Sequence, residues 1–143
     1  MRVEATYNGV RSCLQRLHLP GLSGAARSRI EIVLAEVLNN VVEHARIGHP
    51  DIRIDLEIEL GRHDVRVRLC DTGAPMPGLR LPDGAPANLD VAGHALPEGG
   101  FGWNLIRQLA CELRYLRDGD RNILTFRVPA DHQAQTGRHR RAR

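Results

Sequence analysis

The sequence contains no lysine, and all 20 of its basic residues are arginine. Four of these arginines fall in the last six residues, so 20 − 4 = 16 arginines face 17 − 1 = 16 acidic residues over positions 1–130. The net charge of +3 therefore belongs to the C-terminal segment. Aromatic residues make up only 3% of the chain. A neutral body with so few rings for base stacking disfavours a nucleic-acid-binding module.

Cysteine is also scarce, with Cys13, Cys70 and Cys111 far apart in the sequence. An odd number at this spacing predicts neither a disulfide framework nor a zinc site. No apolar run approaches the roughly 18 residues of a membrane helix, and the N-terminus lacks a hydrophobic signal segment. We therefore expect a cytoplasmic protein whose fold needs no structural metal.

Length and patterning predict one domain over residues 1–130, followed by a basic and disordered tail over 131–143. In the N-terminal half, residues 3–7 are typical of a short strand. Asn8 is the predicted cap of a helix over residues 9–17. A longer helix is predicted over residues 25–46, because apolar residues recur there at helical spacing.

Strand patterns dominate the rest of the chain. Residues 51–61 and 63–71 alternate apolar and polar side chains, which predicts a hairpin. Two further strands are expected near 113–117 and 123–128, after a helix over 102–111. The fold class is therefore α/β, with four or five largely antiparallel strands and helices on one face. Residues 72–100 form a glycine- and proline-rich loop, long enough to suggest a lid.

The longer predicted helix carries a polar stripe. Glu36, Asn40 and His44 lie at i, i+4 and i+8 and project from one edge, with Asn39 and Glu43 beside them. Asparagine is unfavourable inside a helix, so two in succession need a reason, and one interpretation is a functional site. The alternative is an ordinary solvated face.

Asp71 shares the strand parity of Val65, Val67 and Leu69, so it points to the apolar face where the strand ends. A buried carboxylate needs hydrogen-bond donors. One interpretation is a turn in which Asp71 bonds its own loop backbone. The functional interpretation is a buried acceptor for the amine of a ligand.

The third feature is a glycine cluster. Gly99, Gly100 and Gly102 run directly into the helix predicted from Gly102. Free backbone N–H groups at a helix N-terminus suit phosphate. The pattern is neither a Walker motif, since lysine is absent, nor a dinucleotide fingerprint, since no parallel βαβ unit is present.

Together, the segments EVLNNVVEH (36–44), DTGAP (71–75) and GFGWNLI (100–106) resemble the N, G1 and G2 boxes of the GHKL (Bergerat) ATPases. Within that superfamily, the chain resembles the bacterial anti-sigma factor serine kinases of the SpoIIAB/RsbW type. The resemblance covers about residues 3–129. It implies a two-layer α/β sandwich with a mostly antiparallel mixed sheet and a long ATP lid.

The resemblance also implies roles for individual residues. Asp71 would accept a proton from the adenine amine, and Asn40 would ligate Mg²⁺. Glu36 would be the general base toward a protein hydroxyl, whereas His44 would pack beside the site without a catalytic role. The implied nucleotide-binding set is Asn40, Asp71, Gly73, Gly99, Gly100, Gly102, Trp103 and Asn122.

Two departures from the family pattern stand out. Some relatives place an arginine just before the glycine motif, whereas this chain has none there and its only lid arginine is Arg80. Many members enter the last strand with Gly-Thr, which is replaced here by Arg121 and Asn122. Asn122 could replace the threonine as a polar contact near Asp71.

The resemblance implies a homodimeric anti-sigma factor. It would phosphorylate an anti-sigma antagonist of the STAS type on serine or threonine, and sequester a sigma factor when free of that antagonist. A non-catalytic ATP-binding module acting by partner exchange is one alternative. The other is a stand-alone catalytic domain of a histidine kinase, which the lack of room for a phosphoacceptor helix pair disfavours.

Overall fold

The computed structural model describes residues 1–45, 47–49, 51–84 and 101–132. Its strands are β1 (Arg2–Glu4), β2 (Arg53–Leu60), β3 (Asp64–Asp71), β4 (Cys111–Asp118) and β5 (Arg121–Pro129). Its helices are α1 (Tyr7–Gln15), α2 (Gly24–Asn40) and α3 (Phe101–Leu109). A π turn (Val41–Ala45) continues α2, and a 3₁₀ turn (Pro77–Leu79) follows β3.

The five strands form one sheet in the order β1-β2-β3-β5-β4, and each neighbouring pair is antiparallel. The predicted hairpin is present, with Leu56 opposite Leu69 in β2 and β3. Strand β5 inserts between β3 and β4, so the end of β3 at Asp71 lies opposite the start of β5 at Asn122. The predicted α/β class with an antiparallel sheet is confirmed.

The core lies between the sheet and helices α2 and α3. Alternate residues of β2, β3 and β5 point into it, and the face of α2 that carries Ile30, Leu34 and Leu38 is fully buried. The other face of the sheet carries charged side chains, including the Arg68–Glu57 pair. Burial of apolar area on one face fixes the strand register, because a shift by one residue would reverse every side chain.

The N-terminal boundaries differ from those predicted. Strand β1 ends at Glu4, and α1 begins at Tyr7, two residues before the predicted start. Thr6, not Asn8, caps this helix, because its hydroxyl oxygen accepts a 3.0 Å hydrogen bond from the backbone N of Gly9. The helix ends at Gln15 rather than at residue 17.

The helix predicted over 25–46 begins one residue earlier, after the N-cap Ser23, whose hydroxyl accepts from Ala26 N at 3.1 Å. It is an α-helix only as far as Asn40 and then widens into the π turn. Arg46 and Pro50 lie outside the described residues. Gly48 adopts φ +74°, a conformation that favours glycine and ends the helical segment.

The C-terminal elements also shift. Helix α3 runs over Phe101–Leu109, so Cys111 belongs to β4 rather than to the predicted helix. Ser23 N donates to Asp131 O at 3.0 Å, and His132 forms a β-bridge with Leu22. The contacts of the fold therefore extend two residues past the predicted boundary at 130. Residues 133–143, most of the predicted tail, lie outside the described residues.

Cys13 and Cys70 are buried and Cys111 is exposed, and all three are free thiols. Across the described ranges, no group of three or more His, Cys, Asp or Glu side chains is placed to hold a metal ion. In the same ranges, no helix is both long enough and apolar enough to cross a membrane.

Candidate functional site

A cavity of about 360 Å³ lies between the C-terminal end of α2 and the sheet. The helix side is lined by Val37, Asn40, Val41, His44, Ala45 and Ile47. The sheet side is lined by Leu69, Asp71, Tyr115, Asn122 and Leu124. Ala74, Pro75, Met76, Pro77, Pro82 and Trp103 complete the lining. A mostly apolar cavity of this size with a few convergent polar groups is typical of a small-molecule site.

Asp71 is the charged group at the sheet end of this cavity and is only 4% exposed. Its Oδ1 accepts two hydrogen bonds, one from Gly73 N at 2.9 Å and one from Asn122 Nδ2 at 2.8 Å. The bond from Gly73 is the turn contact that sequence analysis offered as the alternative. Because Asp71 also lines the cavity, the turn and an acceptor function coexist. The described residues donate no hydrogen bond to Oδ2.

Burial raises the pKa of the Asp71 carboxyl above its ordinary value of 3.8. The hydrogen bonds from Asn122 and Gly73 and the nearby charge of Arg117 oppose this rise. The protein therefore buries an acid and supplies several groups that stabilise its ionised form.

Asn122, 4% exposed, connects Asp71 to the edge strand β4. Its Oδ1 accepts from Tyr115 Oη at 2.7 Å and from Arg117 Nη1 at 2.9 Å. Its Nδ2 also donates to Ala74 O at 2.9 Å. The structure thus places Asn122 against Asp71, where sequence analysis had suggested a replacement for threonine.

Tyr115 and Arg117 were not among the site residues predicted from the sequence. The signal was the alternation of β4, because Leu113, Tyr115 and Arg117 share one face of the strand and are partly buried, whereas the residues between them are exposed. Their partner Asn122 lies on the neighbouring strand β5, across from Arg117.

Gly73 and the π turn bring the helix and the Asp71 loop together. A Cβ on Gly73 would lie 2.5 Å from both Cβ and O of Ala45. Ala74 N donates to the same Ala45 O at 2.8 Å. A side chain at position 73 would force these backbones apart, so the close packing of the Asp71 loop on the π turn requires glycine there.

Glu36, Asn40 and Gly102 meet where α2 passes the start of α3. A Cβ on Gly102 would lie 2.5 Å from Glu36 Oε2 and 3.9 Å from Asn40 Nδ2. Asn40 Nδ2 is buried and has no hydrogen-bond partner among the described residues. An unpartnered buried amide is costly, which favours an additional group at this position.

Of the other residues singled out from the sequence, some line the cavity and some lie away from it. Trp103 is buried and lines the cavity with His44, whose Nε2 lies 3.8 Å from Glu43 Oε2. Glu43 also accepts a 3.1 Å bond from Tyr7 Oη, and Asn39 is partly buried outside the cavity lining.

The loop is described only in part. Gly99 and Gly100 lie outside the described residues. Arg80 is exposed at the end of the 3₁₀ turn. Arg107 Nε donates to Pro82 O at 2.8 Å, which ties the first part of the loop to α3.

Residues 2–128 match the sequence profile described as a histidine kinase-like ATPase domain. The chain belongs to this family. As a histidine kinase-like ATPase domain, it is an ATP-binding, GHKL-type domain, and the resemblance to this superfamily is confirmed. A comparison with curated proteins gave no match.

Two solved structures are similar to this histidine kinase-like domain. One is the histidine kinase domain from Erythrobacter litoralis EL346 blue-light activated histidine kinase, with 24% identity, a TM-score of 0.49, and coverage of 73% of this chain and 44% of that chain. The other is the mycobacterial sensor histidine kinase MprB, with 13% identity, a TM-score of 0.49, and coverage of 75% and 76%. The chain thus spans less than half the length of the first.

The residues present fit Mg·ATP. The cavity ends on a carboxylate that can accept from an exocyclic amine. At its helix side, the unpartnered Asn40 amide can rotate to present its oxygen, the ligand type that Mg²⁺ prefers. Next to it, the absence of a side chain on Gly102 lets the Glu36 carboxylate lie against the start of α3.

Proposed function

We propose that this domain binds Mg·ATP and transfers the γ-phosphoryl group to a serine or threonine hydroxyl of a partner protein. The observation that carries this proposal is the contact between Glu36 and Gly102, with Asn40 one helical turn away. It brings together a carboxylate, a side-chain amide of the kind that ligates metal ions, and a backbone position without a side chain. Gly99 and Gly100 are assigned to the phosphates from their motif.

In this proposal, the adenine base of ATP lies at the Asp71 end of the cavity. The Oδ2 of Asp71 accepts a hydrogen bond from the adenine amine, while Oδ1 is held by Gly73 and Asn122. Trp103, Leu69 and Leu124 offer apolar area to the adenine ring. Burial of a flat ring between apolar side chains contributes affinity, and the carboxylate supplies selectivity.

Glu36 acts as the general base. Its carboxylate takes the proton of the attacking hydroxyl, whose oxygen then bonds to the γ-phosphorus as the bond to ADP breaks. Such a base contributes roughly 10²–10⁴-fold in rate. The remaining catalysis comes from positioning, since phosphoryl transfer depends on alignment and on electrostatic stabilisation.

Asn40 would hold the magnesium ion through its amide oxygen. When bound, Mg²⁺ supplies positive charge to the phosphates. The hydrogen bond from Arg107 to the Pro82 carbonyl holds this part of the loop beside α3, where Pro82 lines the cavity.

The biological function proposed is that of an anti-sigma factor in a partner switch. The motif resemblance supports an antagonist of the STAS type as phosphoacceptor, a sigma factor as the sequestered partner, and a homodimer as the working form. The combination of Glu36 with Asn40 favours a hydroxyl acceptor, because a base is needed to remove its proton.

The test is to capture partners from native cells, identify them by mass, and incubate them with γ-labelled ATP. The proposal predicts a small antagonist and a sigma factor, and label on the antagonist that survives acid. Acid-labile label on a histidine would favour the histidine kinase alternative. Partner exchange without label would favour the non-catalytic module.

A further inference from the structure

Two side chains of the edge strand β4 converge on one atom. Tyr115 Oη donates to Asn122 Oδ1 at 2.7 Å, and Arg117 Nη1 donates to the same oxygen at 2.9 Å. The guanidinium of Arg117 has only donors to offer, so the atom that faces it must be an acceptor. The Asn122 amide therefore has its oxygen toward β4 and its NH₂ toward Asp71.

This orientation determines what Asp71 can do. With NH₂ of Asn122 and the Gly73 N–H both on Oδ1, one carboxylate oxygen is saturated by donors. Donors on a carboxylate favour its ionised, acceptor-only form. A rotated Asn122 would instead present its oxygen to Asp71, and two acceptors can share that contact only if Asp71 carries a proton.

The same two side chains hold the loop after β3. Arg117 Nη1 also donates to Gly73 O at 2.8 Å, and Met76 N donates to Tyr115 Oη at 3.0 Å. Tyr115 additionally lines the cavity, whereas Arg117 does not. Both residues reach Asp71 only through Asn122 or through this loop. The loop carbonyls of Gly73 and Ala74 also accept from Asn122 Nδ2, at 3.3 and 2.9 Å, so the loop helps to hold the amide.

We propose that Tyr115 and Arg117 are positioning residues that determine nucleobase specificity. By fixing the oxygen of the Asn122 amide and the loop carbonyls that face its NH₂, they keep Asp71 an acceptor. The cavity therefore selects a purine with an amino group at C6 over one with an oxo group there. A C6 oxo group is an acceptor and meets the ionised carboxylate unfavourably, whereas a protonated Asp71 would donate to it. This inference rests on the proposed placement of the base against Asp71.

The experiment compares the affinities for ATP and for inosine triphosphate, a purine nucleotide whose C6 group is oxo. Calorimetry is run with Mg²⁺ on the wild type, Tyr115→Phe, Arg117→Ala and the double variant. Arg114→Ala is the matched control, because Arg114 lies on the same strand but on the opposite face of the sheet. Thermal melts identify the variants that remain folded.

The wild type and Arg114→Ala are expected to prefer ATP. The ratio of the two affinities should fall about tenfold or more in the double variant, since a discriminating buried polar contact is lost. Tyr115→Phe should lower the ratio by a smaller factor, because Arg117 still donates to Asn122 Oδ1 while Met76 N loses its acceptor in the loop. This variant keeps the test valid if the arginine variants unfold.

Parallel losses of both affinities with an unchanged ratio would overturn the inference and leave only a packing function. In that case, dependence of ATP binding on Asp71 would still support the proposed function. A wild type that binds no ATP, or binds it regardless of Asp71, would overturn both.

Discussion

The Cα of Gly102 faces the carboxylate of Glu36 so closely that a Cβ at position 102 would lie 2.5 Å from Oε2. The contact joins the start of α3 to the last turns of α2, two elements far apart in sequence. It ties the glycine motif to the proposed base.

Gly102→Ala is therefore expected to displace the Glu36 carboxylate while leaving the fold intact, because the clashing atoms are the far end of a flexible side chain. We expect near-normal thermal melting and a loss of phosphoryl transfer of at least about tenfold. Melting curves and single-turnover assays on the same preparation test this. Full activity in the variant would show that the position of Glu36 is unimportant.

Gly73→Ala, in contrast to Gly102→Ala, should destabilise the fold. Its Cβ would meet the backbone oxygen and the Cβ of Ala45, which cannot move without shifting the π turn. We expect destabilisation of about 1–3 kcal/mol, the scale of overpacking in a fitted interior. Chemical denaturation measures the loss, with Gly102→Ala as the comparison. Equal stability of the two variants would contradict the difference expected between a clash with backbone and a clash with a flexible side chain.

Asp71→Asn should fold normally but bind ATP poorly. Its side-chain oxygen can still accept from Gly73 and Asn122, but its new NH₂ group faces the adenine amine as a second donor. We expect binding to weaken by about 2 kcal/mol, the scale of a charge-assisted bond. Calorimetry on the folded variant checks this, and unchanged affinity would remove Asp71 from the nucleotide site.

The same substitution has a pH signature in the protein without nucleotide. Because burial raises the pKa of Asp71 above 3.8, the folded state holds this proton more tightly than the unfolded state. The contribution of Asp71 to the free energy of unfolding is thus present below pH 3.8 and is lost as the pH rises through the raised pKa. Denaturation from acidic to neutral pH should show Asp71→Asn gaining stability relative to the wild type. A stability difference between the variant and the wild type that does not change with pH would contradict this.

Two C-terminal deletions that differ by two residues probe the boundary of the domain. Removal of residues 133–143 should leave folding and ATP binding intact. Removal of 131–143 should cost about 1 kcal/mol more, because it deletes the bond from Ser23 N to Asp131 O at the start of α2. Thermal melts of both truncations test the boundary. If the shorter deletion abolishes ATP binding, the tail belongs to the functional domain.

Local patterns predicted much of the fold. The alternation over residues 51–71 predicted the hairpin and the inward direction of Asp71, because a period of two fixes both register and face. Boundaries were less predictable. Thr6 caps α1 through its contact with Gly9, whereas the nearby Asn8, with the higher capping propensity, led to a predicted cap two residues away.

The site was predictable where chemistry is local and unpredictable where it depends on strand order. Tyr115 and Arg117 reach Asn122 because β4 and β5 pair. Asn122 reaches Asp71 because β5 lies beside β3, and only the family resemblance suggested this contact. No spacing in the sequence encodes that insertion of β5. The π turn after Asn40 was likewise hidden, since it widens a helix whose apolar period continues through it.

Asn40→Ala separates metal binding from chemistry. It removes the proposed magnesium ligand, so Mg-dependent ATP binding should weaken and phosphoryl transfer should fall as a consequence. Calorimetry with and without Mg²⁺ distinguishes this from a general loss of affinity. A solvated polar stripe without function would predict small effects in both measurements.

The most direct test of the central claim is single-turnover phosphorylation of the captured partner by Glu36→Gln. The amide keeps the shape of the side chain but cannot accept the hydroxyl proton. We predict nearly normal Mg·ATP affinity and a transfer rate lowered by roughly 10²-fold or more. Transfer at the wild-type rate would contradict the account, because Glu36 would then not be the base.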